Sequence, residues 1–209
     1  MGTGSGQFRL DRVFRTVRDG VWSGRVREDV SSRLGNSAEK LVAELLWLTQ
    51  KLVGCGFEEE AVERWASASN LAQLSVVAEN RVQGSLVKVS AFLFRQTKDT
   101  GLEETEGGNK QRLRQTKMKM LITWLPLLCR GNNGNDIPVL SLSERAELEM
   151  ILEDVIDMLQ HEEQEQVLSL WLHHFTYCPS SDWPNLHASY ARWCTTSRKL
   201  FFSSIKDVK

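Results

Sequence analysis

The chain reads as all-α, with antiparallel helix pairs forming a solenoid-like helical array. Two stripes and a set of stop signals predict this. Leu41, Leu45, Leu48 and Leu52 fall at i, i+4, i+7 and i+11, and Val82, Leu86, Val89 and Leu93 repeat the same spacing. That interval returns a side chain to the same helix face. Between the periodic runs lie glycine and serine signals that stop and start helices, such as Gly54 and Gly56 or the pair Ser141 and Glu144. A chain of 209 residues, 41% hydrophobic and 25% charged, is long enough to bury one good core or two small ones.

Residues 1–9 read as a disordered start, and the N-terminal helical part spans 10–97. Leu10, Val13, Phe14, Val17 and Val21 recur at helical spacing, with Arg9, Arg12, Arg15 and Arg18 on the other faces. A second short helix over 26–34 is expected to stop at Leu34-Gly35-Asn36, with Ser37 capping the next one. Val42, Leu46 and Val53 widen the leucine stripe, so this helix is expected to be buried on more than one side. Glu58, Glu59 and Glu60 suit the first turn of a helix that turns Val62 and Trp65 inward. Gly84, within the Val82–Leu93 stripe, marks a close helix crossing, because glycine otherwise costs about 1 kcal/mol there.

Residues 98–111 are polar and aperiodic and read as a surface loop. The C-terminal helical part, 112–209, continues the same domain. Lys110, Arg112, Arg114, Lys117 and Lys119 form the wet side of a helix whose dry side is Met118, Leu121, Leu125 and Leu128. Pro126 is expected to kink that helix or end it early, and residues 130–138 form a long turn. Leu148, Ile151, Leu152, Val155 and Leu159 line the following helix. Its other face carries Glu147, Glu149, Glu153, Asp154 and Asp157 and reads as solvated. Residues 161–166 are a polar hinge or first turn before Leu168, Trp171, Leu172 and Phe175.

Val167–Leu200 holds His173, His174, Cys178, His187 and Cys194, all metal ligands by residue type. Their spacing is poor for zinc: structural sites clamp the ion between close pairs. On a helix, His187 and Cys194 stand about 10.5 Å apart along the axis. No nucleophile elbow or oxyanion loop accompanies a Cys–His pair. The reading is therefore a structural elbow of Trp171, Phe175, Pro179, Trp183, Pro184, Tyr190 and Trp193. Cys178-Pro179 ends one helix, and Ser181 or Asp182 caps the next, with Pro184 in its first turn. Leu186, Tyr190, Trp193, Ser197 and Phe201 form that helix's inner face, and the three tryptophans pack together. No catalytic residue, metal or cofactor is expected.

A net charge of −1 gives no global field toward nucleic acid. The alternative function is a helical-repeat nucleic-acid binder using Arg9–Arg18 and Lys110–Lys119; the second run has no interleaved aromatic residue to stack bases. No apolar run reaches the roughly 20 residues of a membrane span, and no secretory or convincing myristoylation signal opens the chain. Cys55, Cys129, Cys178 and Cys194 contain no C-x-x-C pair and read as reduced, mostly buried thiols of a cytoplasmic or nuclear protein.

The segment L-V-A-E-L-L-W-L-T-Q-K-L-V and the E-E-A-V-E-R-W-A-S-A-S-N-L-A-Q-L that follows it, within 41–74, resemble part of plant BTB/POZ-domain proteins. So do W-L-P-L-L (124–128), S-E-R-A-E-L-E-M-I-L-E-D-V-I (143–156) and the tryptophan-rich run from Leu168 to Cys194. The resemblance covers most of 37–202. It implies the helical, ankyrin-like or BACK-like region that follows the BTB domain. It also implies a role as substrate adaptor of cullin–RING ubiquitin ligases, in which this region holds the ubiquitination target. The BTB domain itself, roughly 100 residues of mixed strands and helices, is not expected within this sequence. Cullin docking and the homodimer of the family are implied only through that domain. The resemblance carries over no catalytic residues.

Overall fold

The computed structural model describes residues 28–99, 107–130, 139–177 and 183–206, and the side chains of 37–97, 110–130, 139–177 and 183–203. Eight α-helices lie among the described residues: α1 (Glu28–Gly54), α2 (Glu58–Ala66), α3 (Ser69–Ser75), α4 (Asn80–Asp99), α5 (Gly107–Arg130), α6 (Leu142–Asp157), α7 (His161–Tyr177) and α8 (His187–Lys206). The described residues include no strand, and neighbouring helices pack as an all-helical array. The disordered start over 1–9, the helical stripe over 10–21 and the 130–138 turn beyond Arg130 lie outside the described residues.

Helix α1 runs unbroken through Gly35-Asn36, so the expected stop there and the Ser37 cap are both corrected. A glycine costs a helix only about 1 kcal/mol, too little to break 27 residues of continuous hydrogen bonding. The stop comes at Gly56, in the left-handed region at φ +79°. Phe57 N–H donates to Leu52 O (3.0 Å) and Gly56 N–H to Val53 O (2.9 Å). These paired bonds form a Schellman closure, which needs a residue without a Cβ penalty at that position. The helix buries one edge rather than several: Val42, Leu45 and Thr49 are buried, while Trp47 is 56% exposed with Lys51 Nζ 5.9 Å over its ring.

Helix α5 is the centre of the core. Met120, Leu121, Trp124, Leu125, Leu127, Leu128 and Cys129 are fully buried. The helix packs against α2, α3, α4, α6 and α7. Buried side chains of the N-terminal and C-terminal helical parts therefore belong to one core cluster. Both ends of the expected 98–111 loop are helical, because α4 continues to Asp99 and α5 starts at Gly107. Nor does Pro126 end its helix, which runs on to Arg130. The hydrogen bond it removes is the one to Ile122 O. Ile122 is on the exposed side, where water can satisfy its carbonyl.

The deepest contact joins α5 to α2. The indoles of Trp65 and Trp124 stack with centroids 4.1 Å apart and planes 4° from parallel. Trp124 Nε1–H donates to Trp65 O (2.8 Å), and Trp65 Nε1–H donates to Ser90 Oγ of α4 (3.3 Å). Thr123 Oγ1–H donates to Ala66 O (3.1 Å), and Lys119 Nζ to Ser67 Oγ (3.0 Å). The carbonyls at a helix C-terminus have no partner within the helix; those of α2 are met partly by side chains of α5.

Gly84 marks a close approach, though not of two helices. A Cβ there would lie 2.9 Å from Val139 Cγ2, in the segment leading into α6. Of the two serines that the sequence offers as a cap for α6, Ser141 and Ser143, it is Ser141 that opens the helix. Ser141 Oγ accepts from Glu144 N–H (3.3 Å), and Glu144 Oε2 accepts from Ser141 N–H (2.9 Å). The Ser141 N–H, and after it the Ser141 hydroxyl (2.8 Å), donate to the Glu144 carboxylate and hold its pKa below the ordinary range. Helix α7 begins at His161, so residues 161–166 are its first turns rather than a hinge.

Replacing Trp124 by Ala removes a fully buried ring, its stack and a hydrogen bond. Urea denaturation should show a loss of about 3–5 kcal/mol. Trp124→Phe should recover part of it. A Trp124→Ala loss below about 1 kcal/mol would contradict the central role of this contact.

Candidate interaction surface

The C-terminal elbow is built by burying indoles whose N–H groups must find acceptors. Trp171 is fully buried, and its Nε1–H donates to Pro184 O (2.8 Å) across the turn. Around it lie Phe175 (5.1 Å between centroids), His187 (5.1 Å, edge-on) and Tyr190 (6.3 Å). Pro184 follows a cis peptide bond from Trp183. Pro179 and Cys178 lie outside the described residues.

The three tryptophans do not form one cluster. Trp183 turns to α6: its Nε1–H donates to Arg145 O (3.5 Å), and the Arg145 guanidinium stands 5.9 Å from its ring. Trp193 is partly buried, stacks on His161 (5.6 Å), and donates to His161 O (3.3 Å). Each indole thus ties a different segment to the core. Helix α8 starts at His187, later than a Ser181 or Asp182 cap requires. Residues 183–186 are occupied otherwise: Pro184 O serves Trp171, Asn185 N–H donates to Glu149 Oε1 (2.7 Å), and Trp183 and Leu186 are buried. Asn185 Oδ1 then accepts from His187 N–H at the start of the helix (3.2 Å). Phe201, expected on the inner face of α8, is 64% exposed; the core ends near Ser197.

The residues considered as metal ligands are engaged separately. His187 meets the rings of Trp171 and Phe175 edge-on. Cys194 hydrogen-bonds with Tyr190, which raises the pKa of that phenol. His173 lies against His174 and Tyr177. Among the described residues no three His, Cys, Asp or Glu side chains converge on one point. The thiols are less uniformly buried than expected: Cys129 is buried, Cys194 partly so and Cys55 exposed.

The basic run of α5 is a wet face in part: Lys110, Arg112 and Lys119 are exposed and Arg114 is half-buried. Lys117 is buried, and its pKa is lowered by desolvation. Arg114 Nε lies 3.2 Å from Glu163 Oε2, in a charge contact without hydrogen-bond alignment. Arg112 pairs with Glu59 at 3.7 Å, and Lys119 is held by Ser67. These cations therefore face acceptors of the same chain.

The acidic face of α6 is likewise more engaged than a solvated face. At one edge Arg95 pairs with Glu147 (2.9 Å) and Glu144 (3.8 Å). At the other, Arg192 pairs with Asp157 (3.0 Å) and Glu153 (3.5 Å) and reaches the buried Ser189. Between these edges Leu142 and Met150 are 83% and 61% exposed. Sequence reading missed these two. Leu142 and Met150 stand among apolar residues of the buried stripe, and only their phase, off the Leu148–Ile151–Leu152–Val155 face, separates them.

Helices α5 and α7 end near an unusual pair of atoms. Arg130 Nε and His174 Nδ1 are buried without hydrogen-bond partners. Burial, then the charge of Arg130, then His173, lower the His174 pKa from its ordinary 6.5. The unfolded chain therefore binds the proton more readily. The stabilising contribution of neutral His174 is present above the ordinary value and is lost as pH falls through 6.5 toward the lower folded value.

A family model described as BTB/POZ ankyrin-like repeat matches residues 10–201. No curated protein matches the chain, and no solved structure does. Among the described residues, no helix is long and apolar enough to cross a membrane.

Trp171→Ala should destabilise by about 3–5 kcal/mol, and Trp193→Ala by less, about 1–3 kcal/mol, because its ring is only partly buried. Denaturation midpoints decide the order. In a pH series from 7.5 to about 5, His174→Gln should reduce the fall in stability; an unchanged slope removes His174 as its source.

Proposed function

The chain belongs to the BTB/POZ ankyrin-like repeat family, and on that premise we propose that it is a non-enzymatic protein-interaction module, the target-binding region of a BTB-type substrate adaptor for a cullin–RING ubiquitin ligase. The family match over 10–201 carries this reading. An array of packed helices offers the kind of continuous surface on which repeat proteins bind other proteins. The engagement of Arg112, Arg114 and Lys119 by their own chain favours it over the nucleic-acid alternative. Its place of action on this reading is the cytoplasm or nucleus.

The test is made in cells. Proteins near the tagged full chain are identified by proximity labelling, and their ubiquitination is compared with and without the gene. A partner that binds the purified chain directly and loses ubiquitin conjugates on deletion supports the adaptor role. Partners whose ubiquitination is unchanged, and whose binding needs no cullin complex, would overturn it.

A further inference from the structure

The outer side of α6 carries one complete helical ridge that no part of the described chain covers. Leu142, Ala146, Met150, Asp154 and Met158 succeed one another at intervals of four, and all five are exposed. Leu142, Met150 and Met158 are exposed by 83%, 61% and 51%. Side chains at i±4 form the ridges that enter the grooves of a second helix when helices pack. With a rise of 1.5 Å per residue, this ridge is about 24 Å long, enough to seat several turns. Its apolar members are mainly methionine and leucine, and flexible methionine suits a surface that must adapt to its partner.

The flanks of the ridge are acidic. Glu147 lies on one side, and Glu149, Glu153 and Asp157 lie on the other. The chain already shows what such flanks attract. Arg95 of α4 pairs with Glu147 on one side, and Arg192 of α8 with Glu153 and Asp157 on the other. In both cases an arginine from a neighbouring helix packs against this helix. Asp154, on the ridge itself, has no ion pair among the described residues and remains exposed.

We propose that this ridge of α6 is the seat for a partner protein's amphipathic helix whose apolar face is flanked by lysine or arginine. The proposal rests on the interaction-module reading and names the surface and the chemistry of its target. Apolar residues of the partner helix cover Leu142 and Met150, and its cations meet the flanking carboxylates and Asp154. This is helix-on-helix recognition, in which apolar anchors supply affinity and charge sets the choice of partner.

The test uses the full chain and two fluorescein-labelled helical peptides, read by anisotropy. One has leucines along one face and lysines elsewhere; the other has glutamate in place of each lysine. The lysine peptide should bind and the glutamate peptide should not. Met150→Glu decides between a seat and a diffuse acidic field. It adds a carboxylate, so a field alone predicts tighter binding, whereas loss of an apolar anchor predicts weakening of about tenfold or more. Should Met150→Glu fail to fold by circular dichroism, Ala146→Glu on the same ridge carries the test. Phe201→Glu, away from the ridge, should bind as the parent chain does.

Absent binding, equal binding of both peptides, or binding unchanged or tightened by Met150→Glu overturns the proposal. So does a chain dimer that Met150→Glu dissociates, since the occupant is then a second copy. Failure here with target ubiquitination intact removes only this surface. Peptide binding without any effect on ubiquitination removes only the ligase role.

Discussion

The fold depends on how the end of α2 is closed. A nine-residue helix has little stability alone, and its last carbonyls need acceptor partners' opposites, donors, that it cannot provide. Trp65 O receives the N–H of Ala68 and the indole N–H of Trp124, filling both lone pairs. Thr123 meets the next carbonyl. The closure therefore comes from a helix more than fifty residues away in sequence. The same indole that makes it lies flat on Trp65. Polar satisfaction and apolar burial are met by one side chain, so α2 cannot keep its conformation apart from α5. Ser90 extends the arrangement to α4 by receiving the Trp65 N–H. Three helices thereby share one set of donors and acceptors.

Farther from this centre the means of attachment change. Helices α4, α6 and α8 meet through paired charges at the surface as well as through apolar contact. Such exposed pairs contribute little each, of the order of 0–1 kcal/mol. They set orientation more than stability. Helix α6 shows both modes: Leu148, Leu152 and Val155 face the core, while its carboxylates hold a neighbour at either edge. The exposed strip between the edges is what remains after both neighbours are seated.

Much of this was legible in the residues. Leu86, Val89 and Leu93 are all buried at the spacing that predicts one helical face, and Ser141 with Glu144 forms the cap their separation implies. Local chemistry decides such features, so local sequence reports them. Features set by distant partners were not legible. Pro126 and Gly35 carry local penalties that their helices absorb. Charged residues of α5 and α6 have the pattern of solvated faces, yet Arg112, Arg114, Glu147, Glu153 and Asp157 pair with residues from elsewhere in the chain. Val167–Leu200 drew attention through its three tryptophans. The centre of the core lies instead in α5, where Trp124 is the sole aromatic residue and its importance rests on Trp65. At the elbow, residue types indicated burial correctly for Trp171 and Trp183. They could not show that each ring reaches toward a different carbonyl.

Helix α8 passes beyond the body that supports it. Its attachment points run from Leu186 to Ser197, where Ser197 Oγ meets His161 Nε2 at 3.0 Å. The described side chains from Arg198 to Phe202 are exposed, including Leu200, Phe201 and Phe202. Among the described residues nothing buries the side chains of this last stretch. Amide hydrogens there exchange through local fraying, at a free energy far below that of global unfolding. The amides around Trp124 exchange only when the whole core opens. A single helix array thus contains two levels of opening, with the change from one to the other falling near Ser197.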